Sequence, residues 1–237
     1  MRLLVACYNV QSFRAGVERA VHALGREKPD LVMVQECGPR RTLRRFAQFL
    51  EMEAISSHRL FTRVRNAVLF RPPWRLSGVD VHDLPREGRT LRRGFIAAHL
   101  RAHGTPITAV SAHLGLAPRE RERHARDLTD HLGGVRGPLM LGADLNEGPD
   151  GPAVRWIGER LFDAGAQAGV GARETFPARG PTARIDYVFV NQAVSVIRCW
   201  VASTQAAVEA SDHRPLLAEV EIQDREAPND AISRYRA

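Results

Sequence analysis

Apolar and polar positions along this chain follow two periods, which exchange several times. The run "RLLVACYNV" at 2–10 predicts a strand closed by polar Asn9. Residues 17–28 set Val17, Ala20, Val21 and Leu24 at helical spacing. "PDLVMVQE" predicts a second strand, apolar on both faces and therefore covered on both. Residues 41–52 return to helical spacing through Leu43, Phe46, Ala47 and Leu50. "NAVLFR" predicts a third strand, closed by Pro72 and Pro73, and "RLSGVDVHDL" a weaker fourth. "GFIAAHLRAHGTPITAVSAHL" predicts a hairpin with His103-Gly104 near its turn. Residues 118–132 predict a charged helix with Pro118 in its first turn. "GPLMLGADLN", "ARIDYVFVN", "VSVIRCWVA" and "PLLAEVEI" predict the remaining strands. No repeat or low-complexity linker interrupts residues 1–222, which reads as one α/β domain, while the polar residues 223–237 are expected to form a peripheral or mobile tail.

A second regularity lies where the apolar runs stop. Asn9, Glu36, His113, and Asp144 with Asn146 each close a predicted strand. Asp186 lies within "RIDYVF", and Asp212-His213 precede the last strand. Each has an ordinary explanation: a turn cap, a surface carboxylate, a core histidine, an ion pair of Asp186 with Arg184. As a set they are acids, amides and imidazoles at strand ends, which layered α/β folds gather into one functional rim.

Composition narrows the classes. A chain of 237 residues can bury a substantial core. The net charge of +7 is carried almost wholly by arginine, Lys28 being the sole lysine. Such a field favours an anionic partner, nucleic acid or an acidic membrane surface; a general arginine bias gives the same count. Three widely spaced cysteines, Cys7, Cys37 and Cys199, argue against a disulfide framework and a thiolate zinc site. They are expected to be reduced thiols in a cytoplasmic protein. The N-terminal apolar run is too short for a signal peptide, and no stretch approaches a membrane span. The expectation is a monomer without stable membrane insertion.

The ordered set Asn9, "QE" at 35–36, "AHLG" at 112–115, "GADLN" at 142–146, "RIDYVF" at 184–189 and "SDHRP" at 211–215 resembles the endonuclease/exonuclease/phosphatase superfamily. "SDHRP" is the strongest element; "GADLN" matches the family's G-D-F/L-N type with Ala143 inserted. The resemblance implies a four-layer α/β sandwich, two packed, mostly antiparallel β-sheets flanked by helices. It also implies phosphoester cleavage dependent on Mg²⁺ or Mn²⁺. Such chemistry needs an activated water, positive charge at the phosphoryl oxygens and help for the leaving oxygen.

The resemblance also implies roles. Glu36 is the main metal carboxylate, assisted by Asp212 or by water, since hard cations prefer oxygen ligands. His213 is the general base, with Asp186 fixing its tautomer. Asp144 positions or deprotonates the nucleophile, Asn9 and Asn146 donate hydrogen bonds, and His113 faces the phosphoryl group or leaving oxygen. Asn66 and Arg93 are candidate phosphate contacts, with a structural role open for both. The loop "RETFPARGPTARID" offers Phe176 for stacking and Arg173, Arg179 and Arg184 for phosphates, and Arg40, Arg41, Arg44 and Arg45 follow Glu36. These four also suit a solvated helix face. Two departures argue against the abasic-repair branch: Gln11 replaces a second acid after Asn9, and His113 stands where that branch has Tyr. A nucleic-acid phosphodiesterase, endo or exo, is the leading expectation. Sphingomyelinase-like activity and phosphoinositide or nucleotide phosphatase activity follow, and a non-catalytic nucleic-acid-binding module fits worst with so many ionisable positions.

Overall fold

Strand β1 (Arg2–Asn9) explains why its sequence is apolar without alternation. Val5 and Cys7 point into one buried cluster, Ala6 and Tyr8 into another. The same division holds in β2 (Leu31–Gln35): Leu31 and Met33 on one side, Val32 and Val34 on the other. Both strands are therefore covered on both faces. The structure, a computed structural model, describes residues 1–57 and 65–222; the expected tail at 223–237 lies outside the described residues.

From β1 a 3-10 turn (Gln11–Phe13) leads to α1 (Val17–Leu24), then β2 and α2 (Arg40–Phe49). Next come β3 (Glu53–Ser56), β4 (Ala67–Phe70) and β5 (Arg75–Asp83). Strands β6 (Gly94–Ala102) and β7 (Thr105–His113) make the expected hairpin. His103 and Gly104 turn it, both at positive φ as such two-residue turns require. Helix α3 (Pro118–Leu132) and β8 (Leu139–Asp144) precede α4 (Pro152–Gly158), β9 (Phe162–Asp163) and α5 (Ala164–Ala168). The chain closes with β10 (Asp186–Val190), β11 (Val194–Val201), α6 (Gln205–Glu209) and β12 (Leu216–Ile222).

The strands form two six-stranded sheets, ordered β11-β12-β1-β2-β4-β3 and β5-β6-β7-β8-β10-β9. Most pairings are antiparallel; β1–β2 and β7–β8 are parallel. Val5, Cys7, Leu31 and Met33 of the first sheet meet Ile96, Ala98, Ala109, Met140 and Val188 of the second in a central cluster. Outside the first sheet lie α1 and α2 through Leu24, Leu43 and Phe46. Outside the second lie α3 and α4 through Leu128 and Ile157. The expected four-layer sandwich is thus the observed architecture.

Two details bring the sheets together near the rim. Gly142 faces Met33 so closely that a Cβ would lie 2.5 Å from the methionine Cβ. Next to it, buried Gln35 crosses the sheets, donating to Ser111 Oγ and to the Gly142 carbonyl at 3.1 Å each. Some boundaries differ from the pattern. The first helix ends at Leu24 rather than Lys28, where Gly25 follows and Pro29 is near. Helices α5 and α6 have five residues each, too few to display a period, and rest on the side-chain caps of Asp163 and Thr204.

Candidate active site

Strand register assembles the site. His113 lies opposite Asp144 across the parallel β7–β8 pair, and Asp144 lies opposite Asp186 across the antiparallel β8–β10 pair. Three functional side chains thus stand on adjacent strands at one end of the second sheet. The first sheet adds Asn9, at the end of β1 beside Gln35.

The side chains join in one network. Asn9 Nδ2 donates to Asp144 Oδ2 at 2.8 Å, and His113 Nε2 lies 3.2 Å from the same oxygen. His213 Nε2 approaches it to 3.8 Å, while His213 Nδ1 bonds Asp186 Oδ2 at 2.8 Å. Thr175 Oγ1 donates to that Asp186 oxygen at 2.5 Å. Asn146 donates its side-chain amide to the Leu114 carbonyl at 3.0 Å, within 3.1 Å of His113 Nε2. Ser211 Oγ donates to the Asn9 carbonyl at 2.7 Å and to Asp212 Oδ1 at 3.3 Å, and Gln11 Nε2 donates to Asp212 Oδ2 at 2.7 Å.

Arg93 extends the network to Glu36. Its NH1 lies 2.9 Å from His113 Nδ1 and 4.0 Å from Glu36 Oε1. A guanidinium only donates, so His113 Nδ1 accepts and the ring proton sits on Nε2, facing Asp144. Burial pushes the His113 pKa down to about 3, Asp144 opposing and Arg93 assisting, so the ring is neutral. His213 is the opposite case. Burial lowers its pKa, but Asp186, Asp144 and Asp212 outweigh burial and raise it to about 9. Two neighbouring imidazoles thus differ in charge: burial decides for His113, aided by Arg93, whereas at His213 the carboxylates, Asp186 first, outweigh burial.

Strained backbone gathers here too. Gln11, Ser12, Phe13, Glu36 and Asn146 all have positive φ without being glycine. For ordinary residues this costs about 1–2 kcal/mol each, and it persists where surrounding structure imposes it.

A sequence profile of the Endonuclease/Exonuclease/phosphatase family matches residues 6–213, most of the chain and all of this network. The protein belongs to that family. It is accordingly a hydrolase of the phosphoesterase class. No curated protein sequence matches it. Among solved structures, the endonuclease/exonuclease/phosphatase of Bacteroides vulgatus superposes with a TM-score of 0.82 at 18% identity, covering 94% of this chain and 100% of its own. The mannosyl-6-phosphatase of Bacteroides thetaiotaomicron gives 0.79 at 19% identity, over 93% and 100%. TDP2 of D. rerio, solved with a single-strand DNA product, gives 0.77 at 14% identity, over 93% and 99%. At such identities these likenesses bear on the fold.

Within this family member, each expected site residue can be located. Asn9, His113, Asp144, Asn146, Asp186 and His213 share the network above. Glu36 is 38% exposed in side chain, facing a cleft lined also by Ser12, Arg14, Arg65, Asn66, Leu91, Arg92, Arg93 and His113. Asp212 lines a neighbouring hollow with Gln11, Ala178 and Arg179. Asn66 is buried and donates to the Gly94 carbonyl at 2.6 Å, so its NH₂ group holds the cleft wall. Arg184 is a correction: it is buried and paired with Asp163 at 2.5 Å, neither free for phosphate nor bound to Asp186. Phe176 packs against His213 with the two rings tilted at 48°, centroids 4.9 Å apart. Thr175 went unnoticed in the sequence because a hydroxyl in a loop carries no periodic signal, and Ser211 stood in "SDHRP" without a role. Gln11 stood out there only as a missing acid; here it binds Asp212.

The donor types suit a hard cation. Glu36 and Asp212 offer carboxylate oxygens, whereas the thiols are buried and pushed up, Cys37 and Cys199 to about 12 and Cys7 well above its ordinary value. Among the described residues, Asp144, Asp186 and His213 bring ligand atoms within 4.8 Å of one another, and Asp186 Oδ1 is buried without a partner. In that trio, however, His213 Nδ1 and Asp186 Oδ2 already bind each other. Glu36, exposed to the cleft, meets Arg93 only loosely, at 4.0 Å.

Proposed function

We propose that the protein is a divalent-metal-dependent phosphodiesterase acting on nucleic acid, with Glu36 as the main carboxylate for Mg²⁺ or Mn²⁺, assisted by Asp212 or by water. The observation that carries this reading is the network joining Asn9, His113, Asp144, Asn146, Asp186 and His213 beside the carboxylate of Glu36. A cation held there would supply positive charge to the phosphoryl oxygens and to the attacking water. His213 Nε2 takes the proton of that water, and Asp186, steadied by Thr175, holds the ring through Nδ1. A base must start neutral, yet three carboxylates hold His213 charged. Asp212 is one of them, so His213 would move toward the working range if the Asp212 charge were shared with a cation. As the water oxygen bonds phosphorus, the bond from phosphorus to the leaving oxygen breaks. His113, neutral and protonated on Nε2, holds Asp144 through that proton, and Arg93, bound to its Nδ1, is the donor that faces the phosphoryl group from the cleft wall. Asp144 accepts from Asn9 through Oδ2 and from the Asn146 backbone through Oδ1. It thereby fixes the position of the groups that face the phosphorus.

A nucleic-acid substrate is favoured by the net charge of +7 and by the arginines that line the cleft beside Glu36. Among the described residues no helix is long and apolar enough to cross a membrane. The test is a panel of plasmid, single-stranded DNA, RNA, sphingomyelin, phosphoinositides and a bis-aryl phosphodiester with Mg²⁺ and Mn²⁺. Turnover of nucleic acid above the lipids is expected; turnover of a lipid or phosphomonoester alone would overturn the substrate assignment.

A further inference from the structure

The cleft beside Glu36 is small, about 310 Å³, and unusually basic. Four arginines line it, Arg14, Arg65, Arg92 and Arg93. Arg93 is engaged with His113 and Glu36. Arg14, Arg65 and Arg92 are exposed, and among the described residues they form no ion pair. The proposed mechanism uses none of these three.

Hydrogen bonds hold the walls in place. Ser12 N donates to the Glu36 carbonyl and Cys37 N to the Arg65 carbonyl, each at 2.9 Å. Asn66 ties the next wall to Gly94, and Arg93 ties that wall to His113. The segments carrying the three free guanidiniums are therefore fixed relative to the reacting centre before any ligand arrives, which reduces the ordering cost of binding. On the other side of the Gln11–Ser12 turn the balance differs. The hollow there has one arginine, Arg179, against Glu209 and Asp212.

From this asymmetry we infer that the Arg14–Arg65–Arg92 cleft is a subsite for a second phosphate of the substrate, on one side only of the phosphate that is cleaved. The inference rests on the phosphoesterase reading of the adjoining site. Guanidiniums bind phosphate through paired, charge-assisted hydrogen bonds. A cavity of this size admits one phosphate with its ester group, not a duplex. The ligand chemistry is a phosphate one nucleoside away from the reacting one, whether in a strand or in a small bisphosphate.

Binding without turnover tests this separately from activity. Calorimetry with Ca²⁺ in place of Mg²⁺ would compare thymidine 3′,5′-bisphosphate with its two monophosphates. The bisphosphate should bind about tenfold or more tightly than either, the factor that one charge-assisted hydrogen bond supplies. In the triple variant Arg14→Gln, Arg65→Gln, Arg92→Gln the ratio should fall to about one; the three side chains are exposed, so the fold should persist. Equal affinities in the native protein, or a ratio that survives in the folded triple variant, would overturn the subsite. Propane-1,3-diol bisphosphate distinguishes the sources: the same tightening supports a site for phosphate spacing alone, and tightening by the nucleoside form only supports a strand. Absence of bis-aryl phosphodiester turnover would count against the proposed function and leave this binding result standing.

Discussion

At the scale of the residue, the central unit is His213 with Asp186 and Thr175. His213→Ala should remove most turnover, since general-base catalysis is worth about 10²–10⁴-fold. Asp186→Asn should cost a comparable factor, and the double variant little more than the worse single one, because residues acting as a unit are non-additive. If the two defects multiplied in a folded protein, Asp186 would need another role. The same histidine should be visible in stability. Its pKa is raised to about 9, so the metal-free folded protein holds more protons than the unfolded chain between about pH 6.5 and 9. Its contribution is therefore full below about pH 6.5 and lost as pH rises toward 9. His113, lowered to about 3, acts on the acid side, where stability falls as pH drops below about 6.5. Thermal unfolding of chelator-treated protein should show a decline from pH 6.5 to 9 that is flattened in His213→Gln. A decline of the same slope in that variant would show that the ring is not charged in the fold.

At the scale of the element, much was legible because strand ends and functional residues coincide. The apolar runs located ten of the twelve strands among the described residues, and polar residues closing them are the residues that register brings together. What stayed hidden has physical causes. The short helices α4, α5 and α6 and the short strands β3 and β9 lack the length to show a period. Thr175 acts through one hydroxyl, and the role of Asn66 depends on a carbonyl 28 residues away. The one-residue offset in "GADLN" also gains a meaning. Gly142 faces Met33, Ala143 turns outward to the helix layer, and Asp144 ends the strand at the site. Gly142→Ala should therefore force the sheets apart and destabilise the protein by about 1–3 kcal/mol, the usual cost of overpacking. Chemical denaturation measures this, and an unchanged midpoint would mean that the sheets do not approach so closely there.

At the scale of the whole molecule, two sheets contribute different chemistry to one rim. The first supplies Asn9 at the end of β1, Glu36 after β2, and Asp212 with His213 before β12; the second supplies His113, Asp144 and Asp186. Neither sheet alone carries a complete site, so activity should be lost in the same cooperative transition as the fold. The basic surface should make nucleic-acid binding fall steeply with salt, whereas hydrolysis of a small bis-aryl phosphodiester should change little. The most direct test of the account is the hydrolysis rate of that small substrate in Mg²⁺, compared among native protein, native protein with excess chelator, and Glu36→Gln across a Mg²⁺ titration. The account predicts Mg²⁺-dependent turnover that chelator abolishes, and a Glu36→Gln variant that folds normally but needs far more Mg²⁺. Undiminished turnover in excess chelator, or an unchanged Mg²⁺ requirement in Glu36→Gln, would contradict it.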